Sequence, residues 1–455
     1  MVIKTMKNLS VPDQKDCIFA RPDFKSWQAL LDENKASLAA VENRNSSRTE
    51  LVNIAAKYTH RTALSVNQLN SAANIIVTGH QPNWHHCGIF AKNIITDKFA
   101  MRTDGIAVNL VLDHDICNTS MSLPESDNNG FLKFKTIQLE KKQNHIPLEF
   151  RPLPSNQRLK GFVDSVSKIQ NSFCSDIWCQ DSYSVLKNAQ SCRNAADIIT
   201  QLLAQLYKAF GLEIMYLPVS LMSQTDCFTG FVYSVICDAV NFAGIYNQAI
   251  KNKIETDNLK SNQTIRLLKT DYLNNIIELP FWLVSKTGRR ASLYVSLNDR
   301  NLRIGTADKI VGTIDSSGDK KLQLLEILRK NKCVIRPKAV TLTLFTRLHL
   351  ADLFVHGIGA ENYEYITDHL IRDYYRISRL SFGIATATMT LPQCIQNQNP
   401  QITEPCLHKK FELSKKVINH REFFFGLFPG KKLDNIANSK ETENENGFNC
   451  CPSSR

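Results

Sequence analysis

The segment Ile106-Ala107-Val108-Asn109-Leu110-Val111-Leu112 constrains this chain most, because only Asn109 interrupts its apolar side chains. A strand with one wet face alternates apolar and polar residues. A nearly continuous apolar run belongs to a strand covered on both faces, as in parallel sheets. Upstream, Ile75-Ile76-Val77 is a short β-branched run that ends at Thr78-Gly79. A loop holding Pro82 and Gly88 follows. Residues 89–102 then read as a helix, with Phe90, Ile94 and Met101 near one face and Ile95 and Phe99 beside it. Asp104-Gly105 turns the chain into the apolar run. Strand, loop, helix and strand make a βαβ unit.

The same signature recurs. Over residues 197–210, Ile198, Leu202, Leu206 and Phe210 fall at helical spacing, and Gly211 stands where a helix-ending glycine belongs. Residues 212–219 read as the next buried strand and 229–242 as a helix. The alternation predicts an α/β fold: a Rossmann-like, doubly wound, mostly parallel sheet with flanking helices. Residues 25–70 read as helices through Leu30, Leu31, Leu38, Val41, Leu51 and Ile54, with a break at 43–48. Residues 251–318 alternate short strands with turns such as Thr287-Gly288, a β-rich insertion. The core is expected to resume at Val334 with a short strand, Arg336-Pro337, a helix over 341–356 and a late strand over 382–390. A final helix is expected over 409–425.

These readings divide the chain into a helical layer (1–73), a first part of the core (74–250), an insertion (251–330), a second part of the core (331–392), a C-terminal helix (393–429) and a polar tail expected to be disordered (430–455). A length of 455 residues agrees with two or three structural units.

Composition narrows the function classes. No apolar run approaches the roughly 20 residues of a membrane-spanning helix, and residues 1–15 hold no secretory pattern. The 13 cysteines are odd in number, scattered and without a Cys-x-x-Cys pair. Reduced thiols in the cytoplasm are the simplest account. The formal charge of +12 raises nucleic acid as a partner. The basic residues are spread in short groups such as Lys141-Lys142 and Arg289-Arg290, so a small acidic ligand is the expected partner and nucleic acid is not.

Three segments gather chemistry at strand ends, where α/β sheets bind ligands. In the first, Thr78-Gly79-His80-Gln81-Pro82-Asn83-Trp84-His85-His86-Cys87-Gly88, a loop packed with histidine feeds a helix N-terminus that is suited to a phosphate or carboxylate. Gly79, Gln81, His85, His86 and, a turn into the helix, Lys92 are candidate ligand-binding residues. The second is Asp113-His114-Asp115, where two carboxylates flanking an imidazole suit acid–base work. The third runs from Arg336 to Tyr363. There His349, Asp352 and His356 would share one helix face, and His356-Gly357-Ile358-Gly359 would break the helix through positive φ or close backbone approach. Cys87, Trp84, Ser220 and Asp226 are weaker candidates, and a packing or surface role explains each of them as well.

The ordered set of motifs resembles the BshC-like family, named for the cysteine-adding enzyme of bacillithiol biosynthesis. Thr78-Gly79 with Gln81, then Lys92, Asp113-His114-Asp115, Arg336-Pro337 and Gly357-Ile358-Gly359-Ala360-Glu361 match its motifs in order. His80 stands where the family has a glutamine. The resemblance implies a Rossmann-like core, bound nucleotide (ATP or ADP) and a ligase that joins cysteine to an amine-bearing small molecule through a carbon–nitrogen bond. It makes Asp113, His114, Asp115 and His80 the expected catalytic residues. Gly79, Gln81, His85, His86, Lys92, Arg336, His356, Gly357, Gly359 and Glu361 are the expected ligand-binding ones. Two other readings stand beside it: a metal-dependent hydrolase or transferase using His80, His85 or His86 with Asp113 or Asp115, and a binding module without catalysis.

Overall fold

The computed structural model describes residues 17–61, 73–126, 132–140, 145–171, 189–257, 266–298, 301–315 and 318–388. The helix expected over 409–425 and the tail over 430–455 lie outside them.

The chain opens with β1 (Cys17–Arg21) and two helices, α1 (Trp27–Leu38) and α2 (Arg44–Arg61). The central unit is β2 (Ile75–His80), α3 (Cys87–Arg102) and β3 (Ile106–Val111). A hairpin, β4 (Ser120–Ser126) and β5 (Leu132–Gln138), and α4 (Asn156–Asn171) follow, neither of which the sequence pattern announced. Next come α5 (Ala195–Ala209), β6 (Ile214–Pro218) and a single turn, α6 (Val219–Met222). One helix was expected over 229–242. The chain instead forms α7 (Asp226–Cys237) and α8 (Ala239–Asp257), bent by 87° at their junction. Strands β7 (Thr270–Asp271), β8 (Ile276–Ser285), β9 (Arg290–Asn298), β10 (Asn301–Gly305) and β11 (Ile310–Ile314) lead to α9 (Lys320–Lys330) and β12 (Cys333–Pro337). The described chain closes with α10 (Ala339–His349), β13 (Leu353–His356), α11 (Glu361–His369) and β14 (Phe382–Thr388).

Six strands form the main sheet in the order β1-β14-β13-β2-β3-β6. All neighbours are parallel except β1, which runs antiparallel to β14 at the edge. The chain therefore winds outward from β2 through β3 to β6, then returns to the other side of β2 for β13 and β14.

Alternate residues of the sheet face two separate cores, as the period of a strand demands. Ile76, Ala107, Tyr216, Leu353 and Val355 pack with Trp27 of α1, Phe90 and Ile94 of α3, and Leu202 of α5. Val77, Val108, Leu110, Leu217 and Phe354 pack with Leu51 of α2, Phe231 of α7, Phe242 of α8 and Phe345 of α10. Burial on both faces explains why β3 reads as one apolar run. Its exception, Asn109, donates to Asn93 Oδ1 on α3 at 2.5 Å, so the buried amide is satisfied.

Two expectations for the late chain need correction. The strand around Arg336 does not rejoin the parallel sheet. β12 pairs antiparallel with β8, with Arg336 opposite Trp282, in a second sheet of order β11-β10-β9-β8-β12. The helix over 341–356 is likewise split. α10 ends at His349, and Leu353-Phe354-Val355 is buried as β13 between β14 and β2. His349, Asp352 and His356 therefore do not share a helix face. Asp352 lies in the turn between them. It accepts the Ile75 N–H at 2.7 Å and pairs with Arg44 and Arg48 of α2, at 3.0 and 2.5 Å. A short apolar segment fits either a helix or a strand, and here the empty edge of β2 decided.

No single described helix is long and apolar enough to cross a membrane, and α7 with α8 passes that test only as the bent pair.

Candidate functional site

Strands β2, β3 and β13 all point their C-terminal ends to one edge of the main sheet, and two polar clusters stand there. The first grows from β2 and α3. The α3 N-terminus approaches β14 so closely that a Cβ on Gly88 would lie 2.6 Å from Thr386 Oγ1. His86 is the N-cap, and its Nδ1 accepts the Gly88 N–H at 3.1 Å. The histidine expected to greet a ligand is thus capping a helix, and one of the helix's free donors is already used.

Lys92, in the second turn of α3, is only 4% exposed and donates to the Gly79 carbonyl at 2.7 Å. No carboxylate of the described residues pairs with it, and burial pulls its ammonium down to about 7. His80 ends β2. Its ring meets His85 edge-on at 5.3 Å, and burial, then the charge of Lys92, hold it down at about 3. His85 is buried, with Nδ1 2.7 Å from the Tyr207 hydroxyl of α5. Burial and the charges of His80 and Lys92 keep it well below the usual histidine range.

His356 ends β13, the neighbour of β2. Its ring stacks on Phe354 with centroids 4.2 Å apart. Burial, Arg347 and Lys92 lower its pKa. Its Nε2 lies 3.4 Å from Glu364 Oε1 but out of line for a hydrogen bond, and both atoms are buried without a hydrogen-bond partner. Arg347 binds the other Glu364 oxygen at 2.5 Å. Gly357 and Gly359 adopt no positive φ, contrary to expectation. A Cβ at either would meet none of the described residues within 4 Å. Glu361 begins α11; its side chain lies outside the described residues.

The second cluster follows β3. Asp113 is 1% exposed and accepts both the N–H of Ser220, at 2.9 Å, and the Ser220 hydroxyl. Burial, with Glu149 nearby, pushes its carboxyl up. His114 is buried, its Nδ1 is without a hydrogen-bond partner, and burial lowers its pKa. Asp115 is about one-third exposed. Burial alone would raise its pKa. Hydrogen bonds from Gln81, Ile116 and Arg290, with His114 beside it, hold it low instead. Gln81 Nε2 donates to Asp115 Oδ2 at 3.1 Å, and Arg290 of β9 pairs with Oδ1 at 3.0 Å.

Arg336 is near this cluster but is not free for a ligand. Its guanidinium binds Glu149 through two bonds, at 2.9 and 2.8 Å, with both side chains buried. The structure therefore unites His80, His85, Lys92 and His356 around the ends of β2 and β13, and Gln81 with Asp113, His114 and Asp115 around β3. Sequence reasoning missed Arg290, Glu149, Tyr207 and Glu364. Arg290 and Glu149 belong to elements with no recognisable motif, so no local signal marked them. Ser220, only a weak candidate, is the partner of Asp113. Trp84 packs on Phe162 and donates to the Thr119 carbonyl, Cys87 donates to the Ala387 carbonyl, and Asp226 is a surface residue paired with Lys321.

Among the described residues no group of three or more histidine, cysteine, aspartate or glutamate side chains is placed to hold a metal ion. That geometry gives the metal-dependent reading no support. No protein-family model matches the chain, and no curated protein matches it.

Proposed function

We propose that the protein is a cytoplasmic enzyme of the BshC-like kind, which joins a cysteine-like amino acid to an amine-bearing small molecule with ATP or ADP as its nucleotide. One observation carries this reading: Gln81 and Asp115, from two motifs 34 positions apart, meet at 3.1 Å on one sheet edge. Numbered in chain order, the parallel strands run 3-2-1-4-5 from β6 to β14. That order is compatible with a Rossmann-like sheet, in which the reversal of winding would fall between β2 and β13, where such sheets bind nucleotides. Cys87, Cys117, Cys192, Cys227, Cys237 and Cys333 are free thiols, in keeping with a reducing compartment.

The chemistry rests on two carboxylates whose environments drive them apart, a mark of assigned acid and base roles. Asp115, ionised and partly exposed, accepts the proton that the attacking amine must lose. Asp113, buried and biased toward its protonated form, fixes Ser220 and the floor beneath. Arg290 and Gln81 orient the Asp115 oxygens. Amide formation is a net loss of water; cleavage of an ATP phosphoanhydride would take it up, the carboxyl C–O bond breaking with the oxygen leaving on phosphate or AMP as the amine's C–N bond forms. The test incubates full-length protein with ATP, cysteine and a panel of amino-sugar acids, and reads products by mass. A product equal to the two substrates less water, lost in Asp115→Asn without loss of fold, is expected. Absence of both product and nucleotide binding would remove the reading.

A further inference from the structure

Lys92 is a buried amine to which no carboxylate of the described residues is paired. An ammonium offers three donors, and Lys92 spends one on the Gly79 carbonyl at 2.7 Å. The other two have no described acceptor. Burying a charge without a partner is unfavourable unless something else in the working protein compensates it. The three imidazoles nearest in electrostatic terms, His80, His85 and His356, add no negative charge.

The Tyr207 hydroxyl accepts from Asn93 Nδ2 at 3.0 Å and has His85 Nδ1, at 2.7 Å, as the acceptor for its own proton. With the tyrosine as donor in that contact, the His85 proton would sit on Nε2. On the neighbouring strand, His356 is 3% exposed and its Nε2 lies 3.4 Å from Oε1 of Glu364, whose other oxygen is held by Arg347. Beyond it, a Cβ at Gly357 or Gly359 would meet none of the described residues within 4 Å.

We propose that the polar cluster at the ends of β2 and β13 is an oxyanion receptor, in which Lys92 neutralises a phosphoryl or carboxylate group of a small ligand and His85 stands beside it. This rests on the preceding reading for the location of the ligand, and adds the class of group bound and its anchor. The anchor is a side chain, not the α3 N-terminus, because His86 already caps that end.

The experiment is thermal denaturation of full-length wild type and Lys92→Met at pH 7, with inorganic phosphate, ADP or succinate against sodium chloride of equal ionic strength. An oxyanion should raise the wild-type midpoint by several degrees and leave Lys92→Met unmoved. A response to phosphate and ADP assigns a phosphoryl group; a response to succinate alone assigns a carboxylate. Without added anion, Lys92→Met should melt no lower than wild type, since the substitution removes an unbalanced buried charge. The proposal is overturned if no oxyanion acts beyond the chloride control, if both proteins respond equally, or if Lys92→Met melts well below wild type, as a simple strand-end cap would require. Nucleotide binding that depends on Asp115 and not on Lys92 would overturn the receptor and leave the proposed function standing.

Discussion

The side-chain amide of Gln81 donates to Oδ2 of Asp115 across 3.1 Å, so the loops after β2 and β3 are fastened to each other. This bond helps hold Asp115 ionised. Replacing Gln81 with alanine should raise the Asp115 titration midpoint, read from its carboxyl carbon by NMR. An unmoved midpoint would mean that Arg290 and the Ile116 N–H suffice.

Arg336 and Glu149 form a buried pair, each side chain 7% exposed or less. Arg336→Met leaves Glu149 as an uncompensated buried charge and should cost about 3–5 kcal/mol in urea denaturation. Adding Glu149→Gln should recover part of that loss. A single variant as stable as wild type would contradict the pairing.

Asp113 gives the stability a pH dependence of definite sign. Its carboxyl is raised from 3.8 to about 7 by burial, so over that range the folded state binds more protons than the unfolded state. Its contribution is full below the ordinary carboxylate range and is lost as pH rises toward about 7. Asp113→Asn, which mimics the protonated form, should flatten this part of the stability profile. An unchanged slope between about pH 4 and 7 would assign the dependence to other groups.

The Tyr207 hydroxyl lies between Asn93 and His85 inside the core. Tyr207→Phe strands a buried amide and an imidazole nitrogen, and should cost about 1–3 kcal/mol. The imidazole ¹⁵N shifts of His85 should move as its Nδ1 loses a donor. Constant shifts would show that the ring is held by something else.

Much of the first half of the fold is legible because its signals are local. The apolar run of β3 needs cover on both faces, and the spacing from Ile198 to Leu206 shows where α5 runs. Gly211 adopts φ +70 just past α5, a conformation that suits glycine. The histidine loop and Asp113-His114-Asp115 are legible as strand-end motifs for the same reason.

The later chain is different. Whether residues 353–356 continue a helix or fill the gap between β2 and β14 depends on a free strand edge that lies far away in the sequence. Whether 333–337 joins one sheet or the other depends on β8. At the site, residue types came from the sequence, and the tertiary structure decided their roles. His86 turns inward as a cap and Arg336 is spent on Glu149, while Lys92 is buried without a counter-charge among the described residues. Periodicity reports which faces are apolar, but charge compensation and strand pairing are settled between residues that meet only in the folded chain.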